Sequence, residues 1–223
     1  VWKLFPILDR YCSTEFTSAF KRILVDNLEI ANDCFSRGQL KSKLWLVEEL
    51  TNTGRSLGTV FLCAGWYGTL ATMLFESKLF IEKIRSFDID PSCAIIAETF
   101  NKKFLVDGWK FKATTKDIHE IDYTNYTYET KKSDGEVCEL VESPTTVINT
   151  SCEHIKEFSS WYDKIAEGTL VVLQSNNYFE IEDHVNCSST LKEFSDSAPM
   201  KAVLYEGQLE LDKYTRFMKI GIR

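Results

Sequence analysis

The sequence predicts an α/β protein: a doubly wound, mostly parallel sheet that turns antiparallel at its end, preceded by a helical cap. Three observations carry this reading. Apolar residues before Gly54 recur at helical spacing, short apolar runs after it alternate with helical stretches, and the chain closes on two strand-like segments joined by two residues. A length of 223 residues with 44% hydrophobic and 26% charged side chains supports one sizeable core and excludes disorder for most of the chain.

Phe16, Phe20, Ile23, Leu24 and Leu28 repeat at three- and four-residue steps, as do Leu40, Leu44, Val47 and Leu50. The spacing predicts two amphipathic helices that break near Ser36-Arg37-Gly38. They form a helical cap over residues 1–54, ahead of a second unit at 55–223. Arg37, Lys41 and Lys43 cluster in that cap, which reads as a solvated helix face.

The runs Thr59–Cys63, Ile84–Asp88, Trp109–Ala113, Thr145–Asn149 and Thr169–Leu173 are continuously apolar, as strands covered on both faces must be. Leu70–Ser77, Cys93–Lys103 and His154–Ala166 read as crossover helices, and right-handed crossovers assemble a parallel sheet. Asp117–Val141, polar and tyrosine-rich, reads as loop and weak helix on the rim. Lys201–Leu211 and Tyr214–Ile222 are joined only by Asp212-Lys213, which forces an antiparallel pair.

The chemistry concentrates at strand ends. Strand one runs through Cys63-Ala64-Gly65-Trp66-Tyr67-Gly68 into a helix, presenting backbone N–H groups to a ligand. Gly65 and Gly68 let backbone approach that ligand or adopt positive φ. Asp88 ends the next strand twenty residues after Gly68, a distance that suits a carboxylate accepting from a ribose diol. Asp90 fits better as a helix cap. A pyrophosphate cradle would need glycine where Cys63 stands, so a nucleoside without phosphates is the better ligand.

With these residues the chain resembles the class I S-adenosylmethionine-dependent methyltransferases, over roughly residues 55–223. The resemblance implies a Rossmann-like seven-stranded sheet with an antiparallel last strand and S-adenosylmethionine as cofactor. It implies that Ala64, Gly65, Trp66, Tyr67, Gly68, Asp88 and Ile89 bind the cofactor, with Asp117 and Ile118 at its adenine and Asn149, Thr150 and Ser151 at its methionine. Glu153-His154-Ile155 resembles methyltransferases that act on small molecules. His154 is the candidate catalytic base, with a capping role as its alternative. The chain departs from the family at Leu62, where an acid is common, so the methionyl ammonium needs another partner. The segment Gln174–Phe179, rich in amides and aromatics, either orients substrate or is an ordinary polar loop.

The expected activity is methyl transfer to a small-molecule or other polar acceptor. Alternatives on the same fold are an aminopropyltransferase and a non-catalytic nucleotide-binding or interaction subunit. A formal charge of −7 disfavours nucleic acid as a partner without excluding it, and no apolar run approaches the roughly 20 residues that span a bilayer. Seven cysteines without a Cys-x-x-Cys pair read as reduced thiols in a cytoplasmic protein. The scattered Cys, His and Asp residues give no metal expectation.

Overall fold

The computed structural model of the protein describes residues 13–26, 28–131 and 134–223. Cys12 lies outside the described residues, as do the side chains of Phe16 and Leu28. Among the described residues three helices precede the sheet, where the spacing predicted two: α1 (Thr14–Asp26), α2 (Leu28–Cys34) and α3 (Arg37–Asn52). The expected break holds because the Ser36 hydroxyl accepts from the Gln39 N–H and so caps α3. The face of α3 is rotated from the expected stripe. Ser42, Lys43, Leu46 and Leu50 are buried, while Leu44 is exposed.

The sheet follows as β1 (Gly58–Cys63), α4 (Thr69–Phe75), β2 (Ile81–Asp88), α5 (Cys93–Phe100), α6 (Lys102–Val106) and β3 (Phe111–Thr115). After a 3-10 turn at Ile118–Glu120 come β4 (Tyr126–Lys131), β5 (Val137–Glu142) and β6 (Thr146–Asn149). A second 3-10 turn at Cys152–His154 leads to α7 (Phe158–Tyr162), β7 (Leu170–Asn176), α8 (Leu191–Ser197), β8 (Ala202–Glu210) and β9 (Thr215–Ile222).

Seven strands lie in the order β3-β2-β1-β6-β7-β9-β8, with the first five parallel and β9 antiparallel to both its neighbours. This is the expected Rossmann-like sheet. Alternate residues of each strand serve opposite cores: Val60 and Leu62 face α3, α4 and α5, while Phe61 and Cys63 face Tyr123, Trp161 and Phe158. Leu46 and Leu50 of α3 belong to the first core, so this helix packs on the sheet itself.

Two expected helices are shorter than read. Cys93–Lys103 splits at Asn101, whose amide donates to the Gly68 and Ala97 carbonyls. The stretch from His154 is not continuous helix, because Glu157 takes a left-handed conformation (φ 49°) and α7 starts only after it. The expected rim loop is instead an antiparallel hairpin, β4 with β5. Tyr126 is buried against Phe61 and Phe87, and Glu142 forms a two-pronged ion pair with buried Arg85 (2.6 and 2.8 Å). Burial pushes the Glu142 carboxyl up, but Arg85 and Lys83 outweigh it and hold the group below its usual range.

Candidate active site

The chain passes through β1, β2 and β3 on one side and returns to β6 on the other, so the order reverses between β1 and β6. A crevice opens at the carboxyl ends of strands at such a switch. Two adjoining clefts of about 630 and 620 Å³ occupy it, sharing Ala64, Asp88 and His154. Each is large enough for part of a nucleoside-sized ligand.

The turn after β1 is bound to the end of β2. Gly65 N–H donates to the Phe87 carbonyl (2.9 Å) and Trp66 N–H to Asp88 Oδ2 (2.8 Å), while Asp88 Oδ1 accepts from Asp90 N–H (3.1 Å). Ala64 (φ 52°) and Trp66 (φ 49°) are both left-handed, at a cost on the order of 1–3 kcal/mol each. Such backbone persists where surrounding structure demands it. Gly68 (φ 71°) is required for packing: a Cβ there would lie 2.9 Å from Ala97 Cβ and Asn101 Nδ2, against α5 rather than in a cleft. Tyr67 stacks at a tilt on Trp66 in the core beside α1 and α2. Ala64, Gly65, Trp66 and Asp88 thus line the first cleft, while Tyr67 and Gly68 stand behind it.

Ile89, Asp117 and Ile118 line the second cleft together with Ile155, which sequence reasoning missed. Three isoleucines make apolar walls suited to a flat ring. Asp117 caps the 3-10 turn, accepting from His119 N–H (2.8 Å) and pairing with His119 Nδ1 (3.0 Å), and the backbone bond chiefly holds its carboxyl below the usual range. Asp90 is not the cap it was expected to be: Ser92 is the N-cap of α5, and Asp90 accepts from the Ser92 N–H (2.8 Å) across the turn before it while also lining the first cleft.

Thr150 and Ser151 line the first cleft, but Asn149 does not. It is buried below, with Oδ1 accepting from Ser151 N–H (2.8 Å) and so shaping the strand end. The amides at the end of β7 tie it to its neighbours: Gln174 donates to the Ser42 carbonyl of α3, and Asn176, which lines the first cleft, donates to Glu153 Oε1 (2.6 Å). Tyr178 stacks on Tyr214 (5.4 Å). The segment thus runs from a buried strand end, through Asn176 and Tyr178 at the first cleft, to an exposed Phe179.

The basic cluster of the cap is only partly a solvated face. Arg37 is exposed, but Lys43 is buried in the first cleft, bonded to Gln39 and 5.7 Å from the Trp66 ring centre. Burial, reinforced by Arg216, lowers its pKa to about 8. Among the described residues no carboxylate pairs with it. Arg216, also buried, donates to the Thr150 carbonyl (2.7 Å) and pairs with Glu153 (3.2 Å). The only sequence signal for Lys43 was its charge within a predicted helix; for Arg216 there was none.

His154 is exposed at the junction of the two clefts, its Nδ1 donating to the Asp183 carbonyl (3.1 Å). A carbonyl can only accept, so Nε2 of the neutral ring carries the lone pair. His184, thirty residues away in sequence, sits beside it with ring centres 4.6 Å apart.

No protein-family model matches the sequence, nor does any curated protein sequence. Solved structures do match. The N-methyltransferase NodS from Bradyrhizobium japonicum WM9, in complex with S-adenosyl-L-homocysteine, is 10% identical, with a TM-score of 0.61 over 94% of this chain and 98% of that one. Magnesium protoporphyrin IX methyltransferase (ChlM) from Synechocystis PCC 6803, with bound S-adenosylhomocysteine, is 14% identical, with a TM-score of 0.59 over 98% and 99%. The small RNA methyltransferase HEN1 is 14% identical, with a TM-score of 0.55 over 81% of this chain and 26% of that one. Their names run from N-methylation to magnesium protoporphyrin IX and small RNA, so the shared architecture does not select an acceptor. With its switch-point clefts and antiparallel closing strands, the chain has the class I methyltransferase fold.

Proposed function

We propose that the protein is an S-adenosylmethionine-dependent methyltransferase acting on a polar acceptor. The observation that carries the reading is the joint placement of three chemically different groups along adjoining clefts. Asp88 offers a carboxylate to a diol, Ile89, Ile118 and Ile155 offer apolar walls to a base, and Lys43 offers a cation to a carboxylate. A nucleoside bearing an amino acid has all three complements. A pyrophosphate has no matching cradle, since Cys63 is fully buried and the turn backbone is committed to β2.

S-adenosylmethionine, when bound, supplies a methyl group already activated on a sulfonium. The work of the chain is then positioning and exclusion of water. Ala64, Gly65 and Trp66 shape the floor with Asp88 fixed beside them, while Tyr67, Gly68 and Asn149 hold that floor from behind. Asp117 and Ile118 border the base, Thr150 and Ser151 the methionine portion. His154 presents an open Nε2 lone pair where the clefts meet, beside the place an acceptor must enter.

Asp88→Ala is expected to weaken S-adenosylmethionine binding by about 1.5–3 kcal/mol, the range for hydrogen bonds to a charged group. Asp88→Asn, which keeps one acceptor for the Trp66 N–H, should lose less. Isothermal titration of the folded variants measures this, and wild-type affinity in Asp88→Ala would remove the diol contact from the account.

A further inference from the structure

We propose that Glu153, His154 and His184 form a binding site for one divalent transition-metal ion in the first cleft. Glu153 and His154 come from the 3-10 turn after β6, and His184 from the segment after β7. One carboxylate oxygen and one nitrogen from each ring lie within 4.8 Å of one another. Sequence gave no hint of this grouping, because the two histidines stand on separate loops.

Two independent features prepare these side chains for a cation. Both imidazoles spend Nδ1 on a backbone carbonyl, His154 on Asp183 (3.1 Å) and His184 on Tyr178 (2.6 Å). That bond fixes the tautomer and leaves Nε2 as a lone-pair donor, the arrangement typical of metal-bound histidines. Glu153 is 2% exposed, and its two oxygens are treated unequally. Oε1 accepts from Asn176 (2.6 Å) and Arg216 (3.2 Å), whereas Oε2 is buried with no hydrogen-bond partner. A buried carboxylate oxygen without a donor is costly, and a cation would satisfy it. Around the site the cleft carries five carboxylates against Lys43 and Arg216, a field that favours positive charge.

Two imidazoles and one carboxylate select the kind of ion. Calcium, magnesium and manganese favour oxygen shells, whereas imidazole nitrogen suits zinc, copper, iron or nickel, for which cobalt serves as a coloured probe. Bonds of about 2.0–2.2 Å would bring the donor atoms to roughly 3–3.5 Å from one another. The donors would have to close by about one to two ångströms, a shift that the exposed His154 side chain can make while keeping Nδ1 on the Asp183 carbonyl. Three protein ligands leave positions open toward the cleft for an oxygen or nitrogen of the acceptor. The site is independent of the methyl-donor reading, and its test uses no methyl donor.

Protein freed of any purification tag is titrated with Co²⁺, followed by visible absorption and calorimetry. The expected result is one Co²⁺ per chain with bands of nitrogen and oxygen ligation, and at least a tenfold loss of affinity in His184→Ala and in Glu153→Gln. Because Glu153 also holds Arg216, the half-buried His184 carries the decision, with circular dichroism confirming that the variant is folded. Absence of one-to-one binding, unchanged affinity in His184→Ala, or a sulfur-to-cobalt charge-transfer band placing the ion on nearby Cys187 would each overturn the site. A protein that binds Co²⁺ as expected but not S-adenosylmethionine would keep the metal site and refute only the methyl-donor reading.

Discussion

His154→Ala is expected to lower kcat by roughly 10²–10⁴-fold while affinity for S-adenosylmethionine stays nearly constant. His154 lines both clefts, and among the described residues its ring bonds through Nδ1 to the Asp183 carbonyl, so Nε2 is the face left to accept a proton in the metal-free protein. An ion held with Glu153 and His184 would take that same lone pair, and the kinetic test therefore uses protein stripped of metal. Nothing in that contact holds a donor in place; the loss should therefore fall on turnover. The alternative read from sequence was a cap for a helix beginning at His154. That helix starts instead at Phe158. An exposed side chain at such a position contributes little to stability, within about 0.5 kcal/mol for a surface substitution. Turnover per folded molecule, measured with the true acceptor, decides it, and a folded variant with wild-type kcat would exclude His154 from the reaction.

The second large effect belongs to Lys43, and it has two opposite parts. Its pKa is about 8 in the folded chain against an ordinary 10.5. Below pH 8 the side chain is charged whether folded or not, and the folded state bears the full cost of the buried ammonium, roughly 3 kcal/mol. From pH 8 to 10.5 the unfolded chain holds the extra proton, so this cost fades as pH rises. Arg216 adds to the shift, while Cys34 and Asp33 oppose it. Lys43→Met keeps the buried stem and removes the charge. The ligand-free variant should therefore be more stable than wild type at pH 7, by up to about 3 kcal/mol, with the difference vanishing toward pH 10.5. The same substitution should weaken S-adenosylmethionine binding by roughly 10–100-fold at pH 7, because the ligand carboxylate loses its cation. Wild-type affinity should fall above pH 8, where Lys43 is neutral, and the variant should lack that fall. Chemical denaturation and calorimetry across pH test both parts; a less stable variant with unchanged affinity would place Lys43 outside the site.

How far the fold could be read from sequence follows from what each element buries. β1 and β7 were legible because both faces are covered: Leu170 and Val172 enter one core, Val171 and Leu173 the other. The place of Asp88 at a strand end beside the turn was legible because the spacing of turn and acid is local. The β4–β5 hairpin was not, since its inward positions are Tyr126 and Tyr128 on one strand and Cys138, Leu140 and Glu142 on the other, with Val137 and Val141 exposed. Glu142 reads as a surface charge until it meets Arg85, 57 residues away. The face of α3 was misjudged for a related reason. A lysine counts as solvent in a periodicity argument, but Lys43 is buried because the cleft lies there. Gly68 was recognised as a glycine that must be glycine, although its constraint comes from Ala97 and Asn101. His154 and His184 meet only because the segments after β6 and β7 converge at one rim.

The central claim is that the switch-point clefts hold S-adenosylmethionine, and a calorimetric titration of the purified protein tests it most directly. S-adenosylmethionine, S-adenosylhomocysteine and NAD are titrated separately near pH 7, where Lys43 is charged. The account predicts one-to-one binding of the first two, which share the diol, base and amino-acid carboxylate, and no binding of NAD, whose pyrophosphate has no cradle beside Cys63. Saturable binding of NAD, or no binding of either sulfur nucleoside at millimolar concentration by folded protein, would contradict it.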